Sequence, residues 1–181
     1  MTTIINGSSP SITFSDSTTQ TTAFTTGAVT QSTIATGVAG TGPAFSAYNT
    51  SIQTLSNNTV TKIAFQTKEF DTASAFDNST NYRFTPLVAG YYQVTAALAW
   101  YPSTVGVIQG WIYKNGTAKI SGSNNISNSN GSQFLINGLV YLNGSTDYIE
   151  IYGYQSSGAN LQIAAAGTAG TIFQAAMVRA A

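Results

Sequence analysis

Short segments rich in β-branched and aromatic residues recur about every dozen positions along most of this chain. Gly, Asn, Ser and Pro separate them, and no window of helical length carries apolar residues at a 3.6-residue spacing. The clearest segments are VTKIAFQT (60–67), GYYQVTAALAW (90–100), GVIQGWIYK (106–114), SQFLINGLVYL (132–142), DYIEIYGY (147–154) and GTIFQAAMVR (170–179). About ten short strands of this kind predict an all-β sandwich or jelly roll.

The connections and the alternation support the same fold class. Asn-Gly pairs at 115–116 and 143–144 fall beside these segments and predict β-hairpins. In DYIEIYGY, Tyr148, Glu150 and Tyr152 alternate with isoleucines, so the two sets face opposite sides of a strand.

The composition changes near Gly42-Pro43. Residues 1–42 form a Thr- and Ser-rich arm, and residues 43–181 carry the denser apolar and aromatic pattern of a folded head. Within the arm, ITF at 12–14 predicts a short strand followed by a turn. Such an arm buries too little surface to fold alone, but it can fold by pairing with copies of itself. The alternative is a flexible linker.

Charge and residue usage exclude several functions. Only 7% of residues are charged, and six basic side chains balance six acidic ones without any basic cluster, which argues against nucleic-acid binding. Such low charge suits a chain that lives inside an assembly. The sequence has no Cys and no His, so it lacks disulfides, thiolate metal sites and the commonest general base.

No segment predicts membrane insertion. MTTIINGSSP at the start has neither the basic region nor the apolar region of a secretory signal. The most apolar stretch, residues 163–178, is shorter than the roughly 20 residues of a membrane span and is interrupted by Gly, Thr and Gln. We therefore expect a buried C-terminal strand there.

The positions of the acidic residues do not predict an active site. Asp147 and Glu150 are three apart, so on a strand they face opposite sides and do not converge. Asp71 is expected to cap a turn, and no base is available to activate a serine. We expect no catalytic residues, no cofactor and no metal site.

Binding of a neutral sugar has weak candidates, because such sites combine an aromatic platform with amide side chains. The candidate ligand-contact residues are Trp100, Tyr101, Asn124, Asn125, Asn128 and Asn130. The competing interpretation places Trp100, Trp111 and Tyr113 in the core or in a trimer interface and makes the Asn loop a solvated tip.

The head resembles the C1q/TNF-like jelly-roll family. The series that carries the resemblance is Phe65, Asp71, Phe76, Phe84, Gly90 and then Gly-Tyr-Tyr-Gln-Val at 90–94. The family usually has Phe where this chain has Val94, and two residues of the series stand one position further apart here. The resemblance covers about 43–181. It implies a ten-strand C1q-like jelly roll that assembles as a homotrimer, with Phe84, Tyr92 and Val94 facing inward and Gly90 allowing the turn into the strand.

The arm resembles the linking repeats of tailed-phage fibre and tail proteins through ITFSDSTTQTT at 12–22. It implies intertwined chains that attach the head to other virion proteins through residues 1–42. We therefore expect a virion surface protein, a trimeric fibre or tail-tip adhesin whose head contacts a host glycan or protein. The alternative is a capsid decoration or head-spike protein anchored by the arm, which the arm's shortness favours. A cellular C1q-like signalling ligand would need a leader and a collagen-like run.

Overall fold

Every regular element that the structure describes is a β-strand, as the sequence predicts. The structure is a computed structural model, and it describes residues 42–103, 106–125, 131–165 and 170–181 together with two short strands before them. Within these ranges, no helix has the length and apolar character that crossing a membrane requires.

The arm is described only at two short strands. These are β1 (Ile12–Thr13) and β2 (Thr19–Gln20), which pair antiparallel. The strand expected at ITF is therefore present at its first two residues. By its internal contacts the chain divides into the compact units 1–35 and 36–181. The boundary at Gly42-Pro43 and the intertwining of the arm stay predictions.

The head is built from two antiparallel sheets. The first has six strands, namely β5 (Thr61–Lys62), β7 (Phe76–Asp77), β8 (Arg83–Phe84), β10 (Val107–Lys114), β11 (Thr117–Asn125) and β13 (Ile149–Gln155). The second has seven, namely β3 (Ala44–Tyr48), β4 (Gln53–Leu55), β6 (Thr67–Asp71), β9 (Ala89–Trp100), β12 (Ser132–Asn143), β14 (Leu161–Ile163) and β15 (Ile172–Ala180). The six-stranded sheet runs β11-β10-β13-β8-β7, and β5 also pairs with β13. The seven-stranded sheet runs β4-β14-β9-β15-β3-β6, and β12 pairs with β9.

Several strands are shorter than the sequence pattern suggests. Because a predicted segment can be divided into two strands, the described residues contain more than the ten strands that the sequence predicts. The segment 60–67 is the clearest difference, because it is a strand only at Thr61–Lys62 and again from Thr67. Ile63 and Phe65 between them are fully buried outside any strand, and the Ile63 N–H still donates to the Ile151 carbonyl over 2.9 Å. Their apolar character reflects burial between the sheets.

Of the two predicted hairpins, one is confirmed and one is wrong. Asn115 and Gly116 join β10 to β11 with φ angles of 52° and 75°, the left-handed pair of a tight hairpin turn. Asn143-Gly144 instead connects different sheets, because β12 pairs with β9 and β13 pairs with β10. The Asn143 side-chain oxygen accepts the backbone N–H groups of Ser145, Thr146 and Asp147, each over 3.0 Å. This Asn-Gly pair therefore lies in a connection between the two sheets, and the Asn143 side chain caps the turn.

A phenylalanine cluster forms the centre of the core between the sheets. The Phe45 ring stacks on Phe76 and Phe84 at centroid distances of 4.6 and 4.5 Å, and Phe173 meets it edge-on at 4.9 Å. These rings come from both sheets, so their contacts hold the sandwich together.

The inward positions expected from the resemblance are confirmed. Phe84, Tyr92 and Val94 are completely buried. Gly90 has a different role from the expected turn, because it lies inside β9. A Cβ atom added there would come within 2.6 Å of the Arg179 carbonyl oxygen, so the close approach of β15 requires glycine.

Candidate assembly interface

The outward side of β12 carries large exposed apolar side chains. Leu135, Leu139 and Tyr141 alternate along the strand and are 61%, 56% and 42% exposed. Ile136 and Val140 between them point into the core and are buried. This strand is therefore apolar on both faces, which is unusual for a strand that faces water on one side.

Exposed apolar side chains also lie on two other strands of this sheet, β9 beside β12 and β6 at the opposite edge. Tyr91 on β9 lies opposite Tyr141, with ring centroids 5.5 Å apart. Phe70 on β6 pairs with Ser46, whose side chain faces away from the core, and the Phe70 ring is 47% exposed. We call the surface formed by Phe70, Tyr91, Leu135, Leu139 and Tyr141 the apolar face. Exposed apolar surface of this extent marks an interaction site.

A row of uncharged polar residues crosses the apolar face. Asn137, Thr95, Gln174 and Ser46 are register partners on four adjacent strands, from β12 through β9 and β15 to β3. The Gln174 amide donates to the Ser46 hydroxyl over 3.0 Å, and that hydroxyl donates to a Glu69 carboxylate oxygen over 2.8 Å. Such a row supplies hydrogen-bonding groups at defined positions within an apolar surface.

In the part of the chain that the structure describes, charged side chains lie only at the margins of this side of the sheet, where Arg179 is the register partner of Tyr91 and Glu69 accepts from Ser46. The outward positions of β9 and β12 carry no charged side chain. Among the described residues, three lysines form ion pairs: Lys62 with Glu150, Lys68 with Asp71 at 3.2 Å, and Lys114 with Asp147 at 2.7 Å. The Lys114 ammonium lies 5.4 Å from the Tyr141 ring centre, at the margin of the apolar face. Depletion of charge is typical of the buried core of an interface.

The carboxylates have structural roles. Asp71 accepts the backbone N–H groups of Ala75 and Phe76, both over 3.0 Å, which confirms that it caps a turn. Burial raises its pKa, but these hydrogen bonds and Lys68 outweigh burial and leave the pKa below its usual value. Glu150 and Asp147 pair with different lysines. Within the described ranges, no three metal-ligating side chains come together.

The aromatic candidates for ligand contact lie at the end of β9. Trp100 is only 3% exposed and belongs to the core, where its indole N–H has no hydrogen-bond partner. Burial leaves little of this ring for a ligand. Tyr101 is 39% exposed, and its backbone N–H donates to the Gln162 carbonyl over 2.9 Å.

The amide candidates belong to the far end of β11 and the loop after it. Asn124 and Asn125 are exposed, while Asn128 and Asn130 lie outside the described residues. Their contact with a ligand stays a prediction. Trp111 and Tyr113 are half-buried on the outward side of the six-stranded sheet and are not part of the core. A place in the core is therefore wrong for these two aromatics, and a place in a trimer interface stays a prediction.

The sequence reasoning missed the apolar face, although one signal was present. In SQFLINGLVYL, apolar residues occupy both alternating sets of positions. One set, Phe134, Ile136, Val140 and Leu142, packs inward, and the other contains Leu135, Leu139 and Tyr141. A strand with two apolar faces indicates that a second surface packs against its outward side.

Solved structures with the same fold belong to TNF and C1q proteins. Murine APRIL aligns with a TM-score of 0.58 and 13% identity over 75% of this chain and 98% of that chain. The globular domain of zebrafish complement 1qA gives 0.51 and 17% over 77% and 100%. Eiger TNF from S. frugiperda gives 0.53 and 9% over 76% and 93%. The head therefore has a C1q/TNF-like jelly-roll fold. No protein-family model and no curated protein matches the sequence.

Proposed function

We propose that this chain is a non-enzymatic structural protein of a tailed-phage virion, a homotrimeric fibre or tail-tip adhesin whose head contacts the host surface. The observation that carries the proposal is the uncharged apolar face on one sheet of a C1q/TNF-like sandwich. The C1q/TNF-like resemblance implies three such heads around a threefold axis.

The chemistry of the apolar face supports packing against another copy of this chain. Leu135 and Leu139 are aliphatic and more than half exposed, so burying them in an interface stabilises the assembly by the hydrophobic effect. The polar row through Asn137, Thr95 and Gln174 lets neighbouring copies form hydrogen bonds that select one register. A standard protein interface buries about 800 Å² on each partner.

The arm supports placement on a virion. ITFSDSTTQTT at 12–22 resembles phage fibre repeats, and its first and later residues form the paired strands β1 and β2. Thr and Gln side chains of such strands are neutral hydrogen-bonding groups suited to pairing between chains.

The first experiment measures the mass of the purified full chain by light scattering. The monomer mass is 18.9 kDa, so the proposal expects about three times this value at micromolar concentration. A monomeric mass at that concentration would overturn the homotrimer.

The second experiment locates the protein on purified particles by mass spectrometry and immunogold labelling. Labelling at the tail supports the adhesin. Labelling across the shell overturns the tail-tip assignment in favour of a capsid decoration protein. Absence of the chain from particles overturns the virion assignment altogether.

A further inference from the structure

The outward side of the six-stranded sheet carries a group of aromatic side chains that the apolar face does not include. Trp111 and Tyr113 on β10 alternate with Ile108, Gly110 and Ile112, which form the inner side of that strand. On the neighbouring strand β13, Tyr152 and Tyr154 alternate with buried residues in the same way. We call Trp111, Tyr113, Tyr152 and Tyr154 the aromatic patch.

The rings of the aromatic patch support one another. Tyr152 lies directly opposite Trp111 in the register of β10 and β13. The Tyr113 and Tyr152 rings lie 4.2 Å apart at 32°, and the Trp111 and Tyr154 rings meet nearly edge-on at 6.4 Å and 73°. All four side chains are half-buried, so part of each remains on the surface. Rigid strands therefore hold a platform of rings whose positions need little ordering on binding.

Uncharged hydrogen-bonding groups surround the rings. Gln109 lies opposite both Tyr154 and Ser123, and Ser121 lies opposite Trp111, all on the same outward side. The Tyr154 hydroxyl donates to the Asn58 side-chain oxygen over 2.9 Å, which brings another amide to the rim. Amides and hydroxyls both donate and accept hydrogen bonds, as the hydroxyl groups of a saccharide do.

The two cations beside the patch both have partners within the protein, and one of them, Arg83, lies opposite Glu150 and 4.5 Å from the Tyr148 ring centre. Lys62 forms an ion pair with Glu150, and its ammonium also donates to the Asn81 carbonyl over 3.3 Å. The same ammonium lies 5.8 Å from the Tyr152 ring centre. Glu150 is 3% exposed, and the Tyr152 hydroxyl donates to its second oxygen over 3.4 Å. Because Lys62 pairs with Glu150 and Arg83 packs on the Tyr148 ring, the site is complementary to an uncharged ligand.

The two outward sides of the sandwich thus differ in chemistry. The apolar face combines three aromatic rings with Leu135 and Leu139, and its exposed leucines suit another protein surface. The aromatic patch joins flat rings to amides and hydroxyls, which suit a ligand with apolar C–H surfaces and polar edges. Pyranose rings have both properties.

We propose that the aromatic patch binds uncharged pyranose residues of a polysaccharide, with the rings stacking on the sugars and Gln109, Ser121 and Asn58 bonding their hydroxyls. This deepens the proposed adhesin by naming its ligand class, and it rests on that function only for the source of the sugar. It places recognition on the side of the sandwich rather than at Trp100, Tyr101 or the asparagine loop.

The test titrates the purified full chain with maltohexaose, cellohexaose, chitohexaose and mannohexaose, and with sialyllactose and a heparin hexasaccharide as charged comparators. Tryptophan fluorescence and calorimetry report binding, and Trp111 is one of only two tryptophans. We expect at least one neutral sugar to bind and to change the fluorescence. Trp111→Ala and Tyr154→Ala should each weaken binding about tenfold or more, while Trp111→Phe retains most of it.

The matched control is Tyr101→Ala, which removes an exposed aromatic outside the patch and should leave the affinity within about twofold. Circular dichroism and solution mass confirm that each variant is folded. Three results would overturn the proposal: no neutral sugar binds the folded protein, a charged comparator binds better, or Trp111→Ala and Tyr154→Ala bind as the parent does. Because the virion location is measured separately, failure of sugar binding leaves the virion assignment standing, and the reverse holds too.

Discussion

Trp111 and Tyr152 lie directly opposite each other on β10 and β13, on the side of the six-stranded sheet that faces away from the core. The reverse of the other sheet carries Leu135 and Leu139 instead. Both sheets therefore have a second face with a distinct composition beyond the shared core. A sandwich of this kind can assemble through one outer side and recognise a ligand through the other, because the rigid core separates the two surfaces.

Leu139→Asp should break the proposed trimer without unfolding the head. In the isolated head this side chain is 56% exposed, so a carboxylate there remains in water. In the assembly the carboxylate would lose its hydration, at a cost of about 3 kcal/mol for each interface. Light scattering should then report about 18.9 kDa rather than three times that value.

Leu87→Asp is the matched control for this change. Leu87 is 75% exposed and does not belong to the apolar face, so the same substitution should leave the solution mass unaltered. If Leu139→Asp keeps the parent mass, another surface holds the assembly. If Leu87→Asp also dissociates it, the effect comes from added charge in general.

The fold was predictable from the sequence where burial and alternation coincide. In DYIEIYGY, Ile149 and Ile151 are fully buried while Tyr152 faces outward, as the alternation requires. Asn115-Gly116 forms its hairpin because the left-handed turn it favours matches the twist of the strands it joins. These features follow from local rules, and here the tertiary pairing agrees with them.

The predictions that were wrong concern residues whose placement is determined by tertiary contacts. Asn143-Gly144 has the same two residues as the true hairpin, yet the next strand pairs in the other sheet. Ile63 and Phe65 have strand-forming composition, but they fill space between the sheets as irregular chain. Whether Trp111 is buried depends on which face of its strand packs on the core. The segment GVIQGWIYK has apolar residues on both faces of that strand. No local pattern fixes that choice.

Asp147→Asn should destabilise the head at neutral pH. The Asp147 carboxylate accepts from Lys114 and from the Asn115 amide, both over 2.7 Å, and from the Asn143 N–H over 3.0 Å. Replacing it by an amide removes the ion pair and leaves the half-buried Lys114 ammonium with the Tyr141 carbonyl, at 2.8 Å, in place of a carboxylate. We expect a loss of about 2 kcal/mol at pH 7, measured by urea unfolding.

The same variant should be less sensitive to acid. Burial raises the pKa of Asp147, but its hydrogen bonds outweigh burial and hold the pKa below the ordinary 3.8. A lowered pKa contributes stability that is present above about pH 4 and is lost as the pH falls below it. The difference in unfolding free energy between the parent and Asp147→Asn should therefore become smaller towards pH 2. Lys119→Gln, an exposed charge change on β11, should cost under about 0.5 kcal/mol at both pH values.

Tyr92→Phe should behave in the opposite way with pH. The Tyr92 hydroxyl donates to the Val88 carbonyl over 2.7 Å, so its removal should cost about 1 kcal/mol at pH 8. Burial raises the pKa of Tyr92 from 10.0 to about 12. Its stabilisation is therefore complete below pH 10 and lost as the pH rises towards 12. Urea unfolding should show a smaller difference in unfolding free energy between the parent and Tyr92→Phe at pH 11 than at pH 8. An unchanged difference would contradict the burial of this phenol.

Phe45→Ala should be the most damaging of these substitutions, because Phe45 joins the two sheets. It stacks on Phe76 and Phe84 from the six-stranded sheet and meets Phe173 from its own sheet, all within 4.9 Å between ring centres. Truncation leaves a cavity among these rings and should cost about 3–5 kcal/mol in urea unfolding. Val60→Ala, at a position that is 47% exposed, provides the comparison and should cost under about 0.5 kcal/mol. A small loss for Phe45→Ala would mean that other residues of the core hold the two sheets together.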